Sequence, residues 1–131
     1  RVWKLGAPDE TPARWKLVSL AVNAIWLRVP ALFQLPEQEA RMMPELYARL
    51  SRAGTPVELY AFPDEAHIKV QPRHRLAVYE RNLDWFRYWL EGVRDPDPAK
   101  AAQYARWDAL RDRRAGASAT IAGTIRARPS R

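Results

Sequence analysis

Cysteine is absent from the 131 residues. That excludes disulfide staples, thiolate metal sites and a cysteine nucleophile. Histidine is scarce: His67 and His74 are the only two, too few for a histidine-rich metal site, and no metal or cofactor is expected. No run of about 18 apolar residues occurs, so no membrane span is expected. No charged segment followed by an apolar core stands at the start, as a secretory signal would require. Arg1 takes the place of an initiator Met, and the chain reads as trimmed or partial. Serine is sparse as well. Ser19, Ser51, Ser118 and Ser130 are the four, and none stands in a G-x-S-x-G phrase.

What is present is ordinary for a folded domain: 47% hydrophobic and 28% charged residues, which excludes collagen-like and wholly disordered chains. Six Trp need a core or a partner surface to cover them. The net charge of +7 points first to nucleic acid, but its distribution argues otherwise. Residues 1–92 hold 13 basic and 11 acidic side chains, whereas residues 93–131 hold 9 and 4. The excess is mostly an Arg-rich C-terminal stretch. No aromatic–basic sheet signature and no helix-turn-helix spacing accompany it, so no nucleic acid partner is expected.

Along the chain, residues 1–16 read as an irregular lead-in and 15–26 as a short helix or loop. Val29 to Leu35 suits a buried strand, ended by Pro36. Met43, Leu46, Tyr47 and Leu50 give helical spacing within 37–53, with Pro44 as an alternative start and Gly54 as the stop. Val57 to Phe62 reads as a second strand. A third helix is expected from about Pro72 to Glu91, with Leu76, Tyr79, Leu83, Phe86 and Leu90 as a stripe flanked by Val78, Trp85 and Trp89. So wide an apolar face implies burial against a sheet or another domain. Asp97 and Pro98 form a helix start for a helix of about 98–114 with Ala102, Trp107 and Leu110 inward. Residues 116–131 read as a disordered tail. The domain division is therefore 1–92, a helical extension 93–115, and the tail.

Strand–helix–strand–helix order predicts two parallel strands joined by a right-handed crossover. Two strands do not make a stable sheet, so the fold class is α/β, with these strands as the edge of a larger sheet. In open α/β sheets, sites lie beyond the carboxyl ends of the strands. Two loops occupy that position: Pro36-Glu37-Gln38-Glu39 and Asp64-Glu65-Ala66-His67. An acid after one strand and a His after the next is the order in which α/β-hydrolases complete a Ser…Asp/Glu…His triad. Spacing alone leaves a surface His and ordinary acidic loops as the competing reading.

The phrase Gly54-Thr55-Pro56-Val57-Glu58-Leu59-Tyr60-Ala61-Phe62-Pro63-Asp64-Glu65-Ala66-His67 resembles the C-terminal end of the prolyl oligopeptidase family, where a similar phrase ends on the catalytic His. Tyr79 to Phe86 resembles that family's last helix. The run His67 to Tyr79, with Asp95 to Lys100 and Gln103-Tyr104 beyond it, is similar to the lasso peptide isopeptidases within the family. The likeness covers about residues 15–111. It implies the C-terminal portion of a bacterial serine peptidase with an α/β-hydrolase domain and a β-propeller, cytoplasmic or periplasmic, acting on a peptide and, at the finer level, on the isopeptide bond of a lasso peptide. The matching His is His67. The family's acid is Asp; here Glu37 aligns best, with Glu39 second. The nucleophile and its partners, by this likeness, precede Arg1, and the isolated chain is expected to be inactive and marginally stable. A degenerate, non-catalytic interaction module is the alternative. Near the site, Lys69 and Arg73 read either as solvated charges or as receptors for a substrate carboxylate. Asp64 and Glu65 read as shaping the turn, and His74 as a helix-surface or interface residue rather than a catalytic one.

Overall fold

The computed structural model describes residues 6–126, the stretch 117–126 as backbone only. Trp3 and the end of the tail, 127–131, lie outside the described residues. The order is α1 (Pro12–Val18), α2 (Leu20–Asn23), a 3₁₀ turn (Ala24–Trp26), β1 (Ala31–Pro36), α3 (Glu37–Ala40), α4 (Pro44–Arg52), β2 (Val57–Phe62) and α5 (Pro72–Phe86). After these come a π-helical turn (Arg87–Glu91), a 3₁₀ turn (Pro98–Lys100) and α6 (Ala101–Arg126). Among the described residues no helix is long and apolar enough to cross a membrane.

β1 and β2 pair in parallel, in a register running from Ala31 opposite Val57 to Pro36 opposite Phe62. Strand alternation then assigns the two faces. Ala31 and Phe33 of β1 and Val57 of β2 pack with Ala24, Leu46 and Leu50 from the α2–α4 side. Leu32 points the other way, into an aromatic cluster of α5, the π-helical turn and α6. Helices therefore cover both faces of the sheet, as a crossover-connected parallel pair requires.

Proline and glycine set the boundaries. Pro12, Pro44, Pro72 and Pro98 each open a helical segment, where the missing N–H costs nothing. Gly54 and Gly92 adopt φ of 75° and 72° after α4 and after the π-helical turn, the left-handed caps that glycine takes most easily. The Asp97 side chain accepts the Ala99 N–H at 2.9 Å, as an N-cap should.

Within this segment the aromatic cluster covers one side of α5 and of the turn that follows it. Trp85, Tyr88, Tyr104, Trp107 and Leu110 are buried, with Trp89 packed beside them. Trp107 meets Trp85 and Tyr104 edge-on, each at 5.1 Å between ring centroids. The stripe Leu76, Tyr79, Leu83, Phe86 and Leu90 is instead more than half exposed at every position. The covering element decides this: α6 brings Tyr104 and Trp107, and these meet the Trp85/Tyr88 side of α5. Ala102, expected inward on α6, is exposed. α6 also continues to Arg126, past the expected end near residue 114 and into the stretch read as a tail.

Charges tie α6 to β2 and α5. The Trp107 indole N–H donates to Glu58, and the Arg106 Nε donates to the other Glu58 oxygen at 2.7 Å. The Asp84 carboxylate, also buried, accepts from Lys100 Nζ at 2.9 Å and from Gln103 at 3.0 Å. A buried carboxylate is tolerated only with such partners. Desolvation, reinforced by the bond to Asp108 at 2.7 Å, pushes the Tyr88 phenol up to about 12.

Trp107→Ala removes the centre of this cluster and one donor to Glu58. The expected loss is about 3–5 kcal/mol in urea unfolding. Trp26→Ala, at a Trp that is mostly exposed, is expected to stay within about 0.5 kcal/mol of the parent. Equal effects from the two substitutions would place the core elsewhere.

Candidate active site

The parallel register puts Pro36 and Phe62, the last residues of β1 and β2, side by side. Neighbouring strands lie about 4.8 Å apart, so the segments leaving them emerge together at one sheet edge. After β1 the chain turns at once into the single turn α3, anchored by buried Ala40. After β2 it turns through Asp64, whose φ of 52° is left-handed. Asp tolerates that region better than most residues.

The second loop is closed on itself by Glu65. Its side chain is 0% exposed. The carboxylate accepts the N–H of Val70 at 2.7 Å, the N–H of Gln71 at 3.1 Å and a bond from His74 Nδ1 at 2.7 Å. Gln71 closes the loop further, its side-chain amide donating to the Asp64 carbonyl at 3.0 Å. Burial works to raise the Glu65 carboxyl, but the Val70 N–H, His74 and the Gln71 N–H overcome it, and the net shift is downward. His74 is largely buried, its ring 5.2 Å from that of Phe62. It is thus an internal partner of the loop, which selects the interface role over the helix-surface one.

His67 stands inside the closed loop and faces α3. Its Nδ1 lies 2.9 Å and 3.0 Å from the two oxygens of Glu39. A carboxylate only accepts, so Nδ1 carries the proton and Nε2 is left as the acceptor. Among the described residues Nε2 has no partner, and the His67 side chain is 80% exposed, against 32% for Glu39. Glu37 is not brought to His67. It pairs with Arg41 one turn on, at 2.5 Å. Of the two acids singled out in the sequence, the second in rank is the one at the imidazole. The Glu37–Arg41 spacing was the available signal, since i, i+4 partners share a helix face.

The remaining sequence candidates are accounted for. Lys69 donates to the carbonyls of Gln34 and His67, and Arg73 donates twice to the Gln71 side chain. Neither is an idle cation. A recess of about 310 Å³ lies beside His67, lined by Gln34, Leu35, Ile68, Lys69, Arg75 and Tyr79 among others. Ser19 caps α2 through the Val22 N–H and Ser51 lies in α4; neither bonds to His67. Among the described residues no cluster of three His, Asp or Glu side chains is placed to hold a metal ion.

Parallel strands with helices on both faces, and an acid and a His on adjacent strand ends, define the architecture of a portion of an α/β-hydrolase domain. Residues 36–93 match the sequence profile of the prolyl oligopeptidase family, which places that segment of the chain in the family. A curated relative, the lasso peptide isopeptidase AtxE2 of Asticcacaulis excentricus, is 50% identical over 97 residues, which is 74% of this chain and 14% of the relative. Two solved structures of the AtxE2 isopeptidase are similar, each with a TM-score of 0.73. One is a variant with Astexin3-dC4 bound, at 48% identity over 77% of this chain and 16% of that one. The other is the apo form, at 49% identity over 76% of this chain and 15% of that one. The chain thus spans about one seventh of the length of the relative it matches.

Glu65 gives the site a pH dependence. A carboxyl lowered by folding contributes stability that is fully present above its ordinary value of 4.5 and is lost as pH falls through the lower folded value. Thermal melts from pH 7 downward should show the midpoint dropping below that value. Glu65→Gln should be less stable at pH 7 and show a flatter acid limb. A Glu65→Gln variant with the parent's acid limb would contradict this assignment.

Proposed function

We propose that this chain supplies the acid and base of a serine peptidase of the prolyl oligopeptidase family that opens isopeptide bonds in lasso peptides. The observation that carries the reading is the Glu39–His67 bond, formed across two adjacent strand ends with Nε2 left free. His67 is the general base. Nε2 takes the proton of a serine hydroxyl as it attacks the carbonyl carbon, then returns it to the departing amine. Glu39 fixes the tautomer and stabilises the imidazolium formed in between. The serine and the oxyanion donors come from outside these 131 residues, as does a β-propeller.

A carboxylate suits this task at either side-chain length, provided it reaches Nδ1. Here the longer Glu side chain does so from the first turn after the strand. The substrate assignment rests on the 50% identity to a lasso peptide isopeptidase. Hydrolysis of the isopeptide bond adds one water, regenerates an acidic side chain and frees the N-terminal amine. The threaded peptide becomes linear.

The test uses the full-length protein carrying this segment, with a lasso peptide and its linear counterpart as substrates. His67→Ala should lower kcat by on the order of 10⁴-fold or more, and Glu39→Gln by on the order of 10⁴-fold. Glu37→Gln should leave turnover close to the parent's. Isopeptide cleavage that survives His67→Ala would refute the assignment and favour a non-catalytic, hydrolase-derived interaction module for this segment. Linear peptides cut in preference to the lasso peptide would place it among the general oligopeptidases.

A further inference from the structure

Lys69 makes two hydrogen bonds that the acid–base chemistry does not itself require. Its Nζ donates to the carbonyl of His67 at 3.2 Å and to the carbonyl of Gln34 at 3.0 Å. The first acceptor belongs to the residue that carries the imidazole. The second belongs to β1, the strand whose end delivers Glu39. Between them the ammonium passes over the Phe62 ring, 5.7 Å from its centroid. One cation therefore joins the loop after β2 to the strand that leads into the acid.

The strand end of this link is itself held. The Gln34 side-chain amide donates to the Val78 carbonyl at 3.2 Å and to Asn82 at 2.8 Å, and its oxygen accepts from Arg81 at 2.9 Å. The other end is not held by packing, because the His67 side chain is 80% exposed. Glu65 closes the loop on its own backbone, at Val70 and Gln71, and makes no bond to β1. A loop closed in that way keeps its internal shape but can still pivot on its stems. Lys69 is the group that fixes it to the strand. Ordering a lysine side chain costs conformational entropy. Charge-assisted bonds to two carbonyls, with no competing carboxylate in reach among the described residues, offset that cost.

We infer that Lys69 is a positioning residue: its ammonium holds the His67 backbone against β1 so that Nδ1 meets Glu39. This rests on the reading of Glu39 and His67 as the acid and base. It assigns Lys69 to the frame of the site and not to a substrate carboxylate.

The test reads the two histidines of this segment in the full-length protein, each assigned by the signal lost in His67→Gln or in His74→Gln. Ring-nitrogen NMR of the ¹⁵N-histidine-labelled full-length protein, at a pH where both imidazoles are neutral, reports one tautomer pattern for each. In the parent, His67 is expected as the Nδ1–H form. Glu39→Ala should move it toward the Nε2–H form and defines the signal of a lost pair. Lys69→Met should shift His67 by a substantial part of that change, and Lys69→Arg should restore the parent pattern. His74, held by Glu65, should stay unchanged throughout and certifies that the loop is folded. Should Lys69→Met not fold, Lys69→Gln keeps one donor and should give a smaller shift of the same sign. A parent-like His67 in Lys69→Met, alongside a shifted His67 in Glu39→Ala, overturns the positioning role alone. Joint changes at His67 and His74 also overturn it, since they mark general loosening. A His67 indifferent to Glu39→Ala overturns the pair itself, and the functional reading with it.

Discussion

The structure depends on the parallel register of β1 and β2. Because Pro36 stands opposite Phe62, the two segments that leave the sheet do so side by side and in the same direction. Glu39 needs only the first turn after its strand to reach the imidazole, and His67 only a closed loop. Slipping the register by one residue would turn every side chain of one strand to the opposite face. Leu32 would leave the aromatic cluster, and Glu39 and His67 would separate. The site is thus a consequence of strand pairing more than of any bond within it.

Around that pairing, buried carboxylates do the fastening, each in a different place. Glu58 binds α6 to β2 through Arg106 and Trp107, and Asp84 binds α5 to Lys100 and Gln103. Glu65 binds the loop around His67 to itself. Each is satisfied by several donors, the condition under which a buried charge is tolerable. The Arg81 guanidinium lies 3.6 Å from the Tyr60 ring centroid and also reaches Gln34, so α5 is locked to both strands at once. The apolar stripe of α5 stays uncovered while its aromatic side is sealed by α6. The burial of α5 is therefore decided by its partner.

Much of this was legible in the sequence. Both strands, the helix starts at Pro44, Pro72 and Pro98, and the stops at Gly54 and Gly92 follow from chemistry local to each residue. So does the Asp97 cap. What local chemistry does not encode is phase. α3 is a single turn, and at about 100° of rotation per residue Glu37 and Glu39 point to nearly opposite sides. No periodicity can be read from so few residues, so the choice between the two acids lay in the Glu37–Arg41 pairing. Which side of α5 this segment covers is open in the sequence for a related reason. Its leucine stripe and its Trp85/Tyr88 side are both apolar, and only the docking of Tyr104 and Trp107 selects between them. The helix position of His74 leaves surface and interface both open, and its environment is fixed by Glu65, nine residues earlier in the chain, through a turn.

Proximity of Glu39 and His67 is the central claim, and a crystal structure of the full-length protein tests it most directly. His67 Nδ1 is expected to be bonded to Glu39, Glu37 to be turned to Arg41, and a serine hydroxyl from outside this segment to lie within hydrogen-bond reach of Nε2. A structure with Glu37 at the imidazole, or with no serine in reach of Nε2, would contradict it.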